Sequence, residues 1–165
     1  MNFSLATSGF KELKNFFGNI PKEVAVSTRK SLIASAIYME GQSKNYIGKT
    51  KNADTPIDKF QAEAFSMSAD KSNFPVLSER SLRRGTGRLS NSITHMIEGD
   101  MATIGTNLVY GRIHEVGGVA GRGHRSLIPA RPYLMPALLA GKKEIEKIFS
   151  EFFWKGVKKY EVKKR

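Results

Sequence analysis

The sequence predicts an α+β fold: N-terminal helices, a small antiparallel β-sheet, and a C-terminal helix packed across that sheet. Three observations carry this. Apolar residues recur at helical spacing near both ends of the 165-residue chain, an alternating stretch interrupted by Gly99-Asp100 lies between them, and glycines and prolines crowd the segment that follows. The length suits one domain with one core, covering 1–165 with a polar insertion at about 41–79 and a basic tail at about 156–165.

The first helix is expected over Thr7 to Asn19, where Phe10, Leu13 and Phe17 share a face, Thr7 or Ser8 serves as N-cap and Gly18 stops the turn. After Pro21, Val26, Ile33 and Ile37 form one stripe with Ala36 beside it, which predicts a second helix of about five turns. From Gly41 to about Arg80 the chain is polar and broken by Gly41, Gly48, Pro56 and Pro75. Inside it, Pro56 to Met67 places Phe60, Ala64 and Met67 at helical spacing and predicts a short helix.

The second half changes character. Ile93, His95 and Ile97 alternate with Thr94 and Met96, Gly99-Asp100 offers a turn, and Met101 to Thr106 reads as the returning strand of a hairpin. The stretch from Leu108 to Leu134 holds too many glycines and prolines for one regular element. It reads as a strand or short turn, a mobile hairpin loop or arm in which Gly117 and Gly118 permit positive φ, and a rigid re-entry. Pro136 opens the final helix, with Ile145, Ile148, Phe149 and Phe152 on its buried face, and the tail after Gly156 is expected to fray.

Composition excludes several chemistries. Without cysteine there is no disulfide framework, thiolate nucleophile or thiolate zinc site. The N-terminus lacks the basic start and apolar stretch of a secretory signal, and no apolar run is long enough for a membrane helix, so a soluble, unexported protein is expected. Gly48-Lys49-Thr50 ends like a phosphate-binding loop, but Ser43 stands where the earlier glycine is required. His114-Glu115 begins like a zinc protease motif and fails at Gly118. His95, His114 and His124 are too scattered to be read as a metal site, the glycines at 117, 118, 121 and 123 lack dinucleotide spacing, and no serine sits in a nucleophile elbow. The expectation is no enzyme and no cofactor.

Charge points to partners instead. The chain carries 27 basic and 15 acidic residues, a formal +12, of which residues 80–165 supply +10 and residues 1–79 only +2. Such a field attracts nucleic acid, an anionic membrane face or an acidic protein. If helical, Arg80, Arg84 and Arg88 would share a face and could line up on phosphates or acidic side chains.

Three blocks together carry a resemblance. Thr86, Gly87, Leu89, Ser92 and Ile93 form the first; Ile104, Gly105, Thr106, Asn107, Tyr110, Ile113, His114, Gly117 and Gly118 the second; Pro129, Ala130, Arg131, Pro132, Tyr133 and Leu134 the third. In order and spacing they resemble the bacteriophage virion morphogenesis and tail completion proteins, minor structural proteins of the head-to-tail junction. Two departures are Gly111, where the family commonly has alanine, and Val116, where it commonly has an aromatic residue. Residues 41–79 carry no recognisable part of the pattern.

The resemblance implies a structural virion protein, assembled in the host cytoplasm, that completes the tail or joins it to the head as a ring-forming component of the neck. It implies a homo-oligomeric ring, sixfold, that contacts neighbouring connector and tail proteins, with genomic DNA passing through its lumen and no membrane contact. Thr86, Gly87, Leu89, Gly105, Tyr110, His114, Gly117, Gly118, Pro129, Arg131 and Pro132 are then expected to build local architecture. Arg83, Arg84, Arg88, Arg122 and Arg125 are candidates for the interface or lumen. Pro129 and Pro132 hold Arg131 extended, so its guanidinium could bind a carboxylate or carbonyls bidentately, within the subunit or across to the next. The alternative is a cytoplasmic nucleic-acid-binding protein without sequence specificity.

Overall fold

A helix after Pro21 forms and runs beyond its expected end. In the computed structural model, which describes residues 22–48, 57–68, 76–80 and 82–163, helix α1 spans Lys22–Tyr46. The helix expected over Thr7 to Asn19 lies outside the described residues. Gly41 does not break α1. It is exposed with open space around it, and the cost of a single glycine, about 1 kcal/mol, is outweighed by burial of Met39, Ser43 and Ile47 on either side.

The buried face of α1 also differs from expectation. Val26 and Ile37 are 52% and 56% exposed, whereas Val24, Ser27, Ser31, Leu32, Ser35, Ala36, Met39 and Ser43 are buried. Serines belong inside because the partner helix comes close, and their hydroxyls can return to the helix's own carbonyls. Ser31 Oγ donates to Ser27 O at 2.9 Å and Ser43 Oγ to Met39 O at 2.8 Å. A count of large apolar residues misses such a face.

Helix α2 spans Lys59–Ser68 and is opened by a reciprocal cap. Asp58 Oδ1 accepts from Gln61 N at 2.8 Å, and Gln61 Oε1 accepts from Asp58 N at 3.3 Å. Of the three residues expected to share its buried face, Ala64 is fully buried, Phe60 half-buried, and Met67 63% exposed.

Residues 82–87 are not helical, so Arg80, Arg84 and Arg88 share no helical face. The five-residue α3, Arg88–Ser92, begins only after Gly87 adopts φ 79°. Strands β1 (Ile93–Glu98) and β2 (Met101–Thr106) then pair antiparallel with Ile93 opposite Thr106 and Glu98 opposite Met101, as the alternation predicted. Gly99 turns the chain at φ 58°. Helix α4 (Gly111–Val116) is an element that the breaker-rich reading of Leu108 to Leu134 did not anticipate. It occupies the six residues before the glycine pair. Strands β3 (Gly118–Ala120) and β4 (Ser126–Ile128) form a second hairpin around a 3₁₀ turn at Arg122–His124, so among the described residues the named strands make two hairpins rather than one sheet.

Helix α5 spans Met135–Lys163, so the tail expected to fray from Gly156 continues the helix. The α+β class and the order of its parts are as predicted, but α5 lies chiefly along α1, and α1 is the helix that rests on the β1–β2 hairpin. The first three turns of α5, through Ala137, Leu138 and Ile145, reach the central core of Met39, Ile47, Leu82, Leu89, Ile93, Ile104, Tyr133 and Ala137. Along its expected buried face Ile145, Ile148 and Phe149 are half-buried and Phe152 is 44% exposed. The hairpin is tied to α1 by His95 Nδ1, 2.7 Å from Glu40 Oε2, and Lys44 and His95 together hold the Glu40 carboxyl below the usual carboxylate range. Among the described residues no helix is long and apolar enough to cross a membrane.

Candidate functional site

The second and third motif blocks meet at a side chain that neither block flagged. Glu115, on α4, is buried, and its Oε2 accepts from Tyr133 N at 2.8 Å and Leu134 N at 3.0 Å while Oε1 accepts from Met135 N at 3.0 Å. These amides open α5, where backbone N–H groups have no helical acceptor. A carboxylate there satisfies three donors at once and complements the positive end of a 29-residue helix. Burial pushes the carboxyl pKa up, opposed by the hydrogen bonds from Met135, Tyr133 and Leu134. The signal in the sequence was faint: Glu115 is the only acid between Asp100 and Glu144.

Tyr133 supplies the return bond. Its side chain is fully buried, and its hydroxyl donates to Gly111 O at 3.2 Å. Burial, then the neighbouring Glu115, pushes the phenol pKa up, so the group stays a donor. Gly111 is small for a reason. A Cβ there would lie 2.5 Å from Thr106 Cγ2 and 3.1 Å from the Tyr133 hydroxyl.

The Pro-Ala-Arg-Pro run is a junction between elements. Ala130 N donates to Val76 O at 2.6 Å and Ser78 N to Ala130 O at 2.9 Å, while Gln61 Nε2 donates to Pro132 O at 2.9 Å. Arg131 N donates to His114 O at 2.7 Å, and its Nε donates to Ser78 Oγ at 3.1 Å, so the half-buried guanidinium is engaged within its own chain. Pro132 is buried and Pro129 half-buried. Gly117 ends α4 at φ 75°, and a Cβ there would lie 3.0 Å from Ala130 N; Gly118 follows at φ 146°.

The remaining motif residues surround a recess of about 150 Å³. Thr86, Gly87 and Leu89 of the first block line one side, Tyr110 and His114 of the second the other, and Arg83, Arg84 and Arg88 are part of the wall. Arg84 Nη2 donates to Ser90 Oγ at 3.3 Å, and Arg88 is exposed. Tyr110 is 40% exposed with its ring edge-on to His114 at 6.0 Å. Burial, helped by Arg131, pushes the His114 pKa down, and its Nδ1 is buried with no hydrogen-bond partner among the described residues. Gly105 lies apart in β2, opposite Thr94. Arg122 and Arg125 lie exposed at the turn of the second hairpin, away from the other candidate arginines in the chain order. Among the described residues no three His, Cys, Asp or Glu side chains gather as a metal site needs.

A sequence model of the phage virion morphogenesis family matches residues 60–152, from α2 to the second half of α5. The chain belongs to that family. The match takes in all three motif blocks, and it begins inside the segment 41–79 that carried no recognisable family pattern. Mu-like prophage FluMu G protein 2 of Haemophilus influenzae is 41% identical over 66 residues, which cover 37% of this chain and 48% of that protein. The match thus spans about half the length of this curated relative. No solved structure matches the chain. Membership of a virion morphogenesis family suggests a structural role in the making of a phage virion and an association with it.

Proposed function

We propose that this protein completes the tail, or joins it to the head, as a ring-forming component of the neck, with a structural rather than catalytic role. The observation that carries the reading is the family match over residues 60–152. The geometry inside that span supports it: Glu115, Gly117 and Tyr133 hold the helix α5 to α4, which is scaffold work, while Arg83, Arg88, Arg122 and Arg125 are exposed. A closed ring needs two different faces on each subunit. Arg122 and Arg125, exposed on the second hairpin, suit contact with passing DNA through phosphates without reading its sequence.

Electron microscopy of the purified protein, with mass spectrometry of intact virions, tests this. Closed rings and presence in the virion are the expected results. Absence from virions removes the structural reading in favour of an assembly factor. Tight DNA binding by the monomer, with a steep salt slope in filter binding, supports the nucleic-acid-binding alternative instead.

A further inference from the structure

The recess beside Arg84 and Arg88 has a charge complement on the same chain that it cannot reach. Its wall holds Leu82, Leu89, Tyr110 and His114 as well as those arginines, and among the described residues no carboxylate lines it. A cavity of about 150 Å³ admits a guest as large as a benzene ring, which suits one inserted side chain rather than an extended polymer. At the far end of the first hairpin, Glu98, Gly99, Asp100 and Met101 form an exposed acidic turn with Met96 beside it. The recess flanks the base of that hairpin, through Leu89 just before β1 and Tyr110 just after β2. Five strand steps separate base from tip, about 17 Å at 3.4 Å per residue.

We propose that the recess receives the β1–β2 turn of a second copy of this chain, with Glu98 and Asp100 meeting Arg84 and Arg88. The inference rests on the ring reading and deepens it. Plug and socket lie at opposite ends of one hairpin, so each copy offers its turn to one neighbour and its recess to the other. Such a contact is heterologous, and its repetition closes a ring when the rotation per subunit allows. Arginine pairs a carboxylate bidentately at the rim, and the apolar part of the wall, Leu82 and Leu89, accommodates the one side chain that enters, a methionine flanking the acids.

The natural absence of cysteine makes a direct test available. In the full chain, Arg88→Cys and Asp100→Cys together should give a ladder of disulfide-linked multimers on oxidation, while either alone gives dimers at most. The two positions are too far apart on one chain to bridge internally. In parallel, the double reversal Glu98→Lys/Asp100→Lys should raise the self-dissociation constant at least tenfold by sedimentation. Adding Arg84→Glu/Arg88→Glu should restore it to within about threefold of the parent, a rescue that a folding defect cannot mimic. Circular dichroism melts check each fold. Rings without a ladder and without rescue overturn this contact and leave the ring reading standing. A parent chain that stays monomeric at every concentration overturns both. Loss of DNA retention in Arg84→Glu/Arg88→Glu with unchanged assembly assigns the recess to phosphate and also overturns the contact.

Discussion

Glu115 Oε2 accepts a hydrogen bond from the Tyr133 amide at 2.8 Å, joining the end of a six-residue helix to the opening of the longest helix among the described residues. The bond is repeated at Leu134 and Met135, and Tyr133 returns one of its own from its hydroxyl to Gly111 O. The two motif blocks are therefore one structural unit. What separates them in sequence is the second hairpin, Gly118 to Ile128.

Glu115→Gln should lower the melting temperature by on the order of 10 °C, from a loss of about 2 to 4 kcal/mol. The amide turns one acceptor into a donor that faces a backbone N–H, and removes the charge from the three-donor cap. Tyr133→Phe should cost less, about 1 kcal/mol, because one neutral hydrogen bond is lost at constant shape. Thermal unfolding of the two variants side by side checks the ranking; equal effects would remove the special role of the carboxylate.

Gly156→Ala offers a competition of known sign. Alanine gains about 1 kcal/mol over glycine in an exposed helix. Here its Cβ would overlap Ser27 Oγ and Cβ on α1, so the helices must separate. The expected net result is a loss of about 1 to 3 kcal/mol by overpacking. In the Ser27→Gly background the same substitution should become neutral or stabilising, which denaturant titration can resolve.

Gly117→Ala should destabilise for two reasons. Its φ of 75° disfavours any side chain, and the new Cβ would press on Ala130 N at 3.0 Å and Ile128 O at 3.2 Å, backbone atoms that cannot rotate away. A loss of about 2 kcal/mol is expected. Gly85, which has open space around it and no unusual φ, is the matched control, and Gly85→Ala should change stability little.

His114 makes stability fall on mild acidification. Burial and the nearby Arg131 push its pKa below the ordinary histidine value, so the folded protein prefers the neutral ring. Its contribution is fully present above the unfolded value of about 6.5 and is lost as the pH falls through the folded value. Glu115, whose pKa burial pushes up, acts in the opposite sense and is shared by both proteins in the comparison. Between pH 7.5 and 5 the parent melting temperature should therefore drop more than that of His114→Gln. Parallel slopes would show that the ring does not titrate in this window.

The elements that were legible in the sequence are those with local causes. The alternation of Ile93, Thr94, His95, Met96 and Ile97 located β1, and Met101 to Thr106, after the Gly99-Asp100 turn, is the returning strand β2. Family membership was legible in three motif blocks. Helix α4 was not, because the breakers around it outweigh six residues of weak helical pattern, and its stability comes from Glu115 and Gly111 reaching outside it. The recess was invisible for a related reason. Thr86, Leu89, Tyr110 and His114 stand in two blocks whose nearness exists only once the first hairpin folds.

By itself the sequence determined the α+β class, the first hairpin, the start of the final helix near Pro136 and the charge bias toward the second half. Tertiary structure alone decided which faces are inside. Serines fill the buried side of α1 because α5 approaches closely there, and Val26 and Ile37 remain outside although they are more apolar. It also decided that Glu115 faces three amides and Arg131 faces Ser78. Hydropathy and spacing act along the chain, whereas the partner of a buried polar group is set by contacts between residues far apart in it.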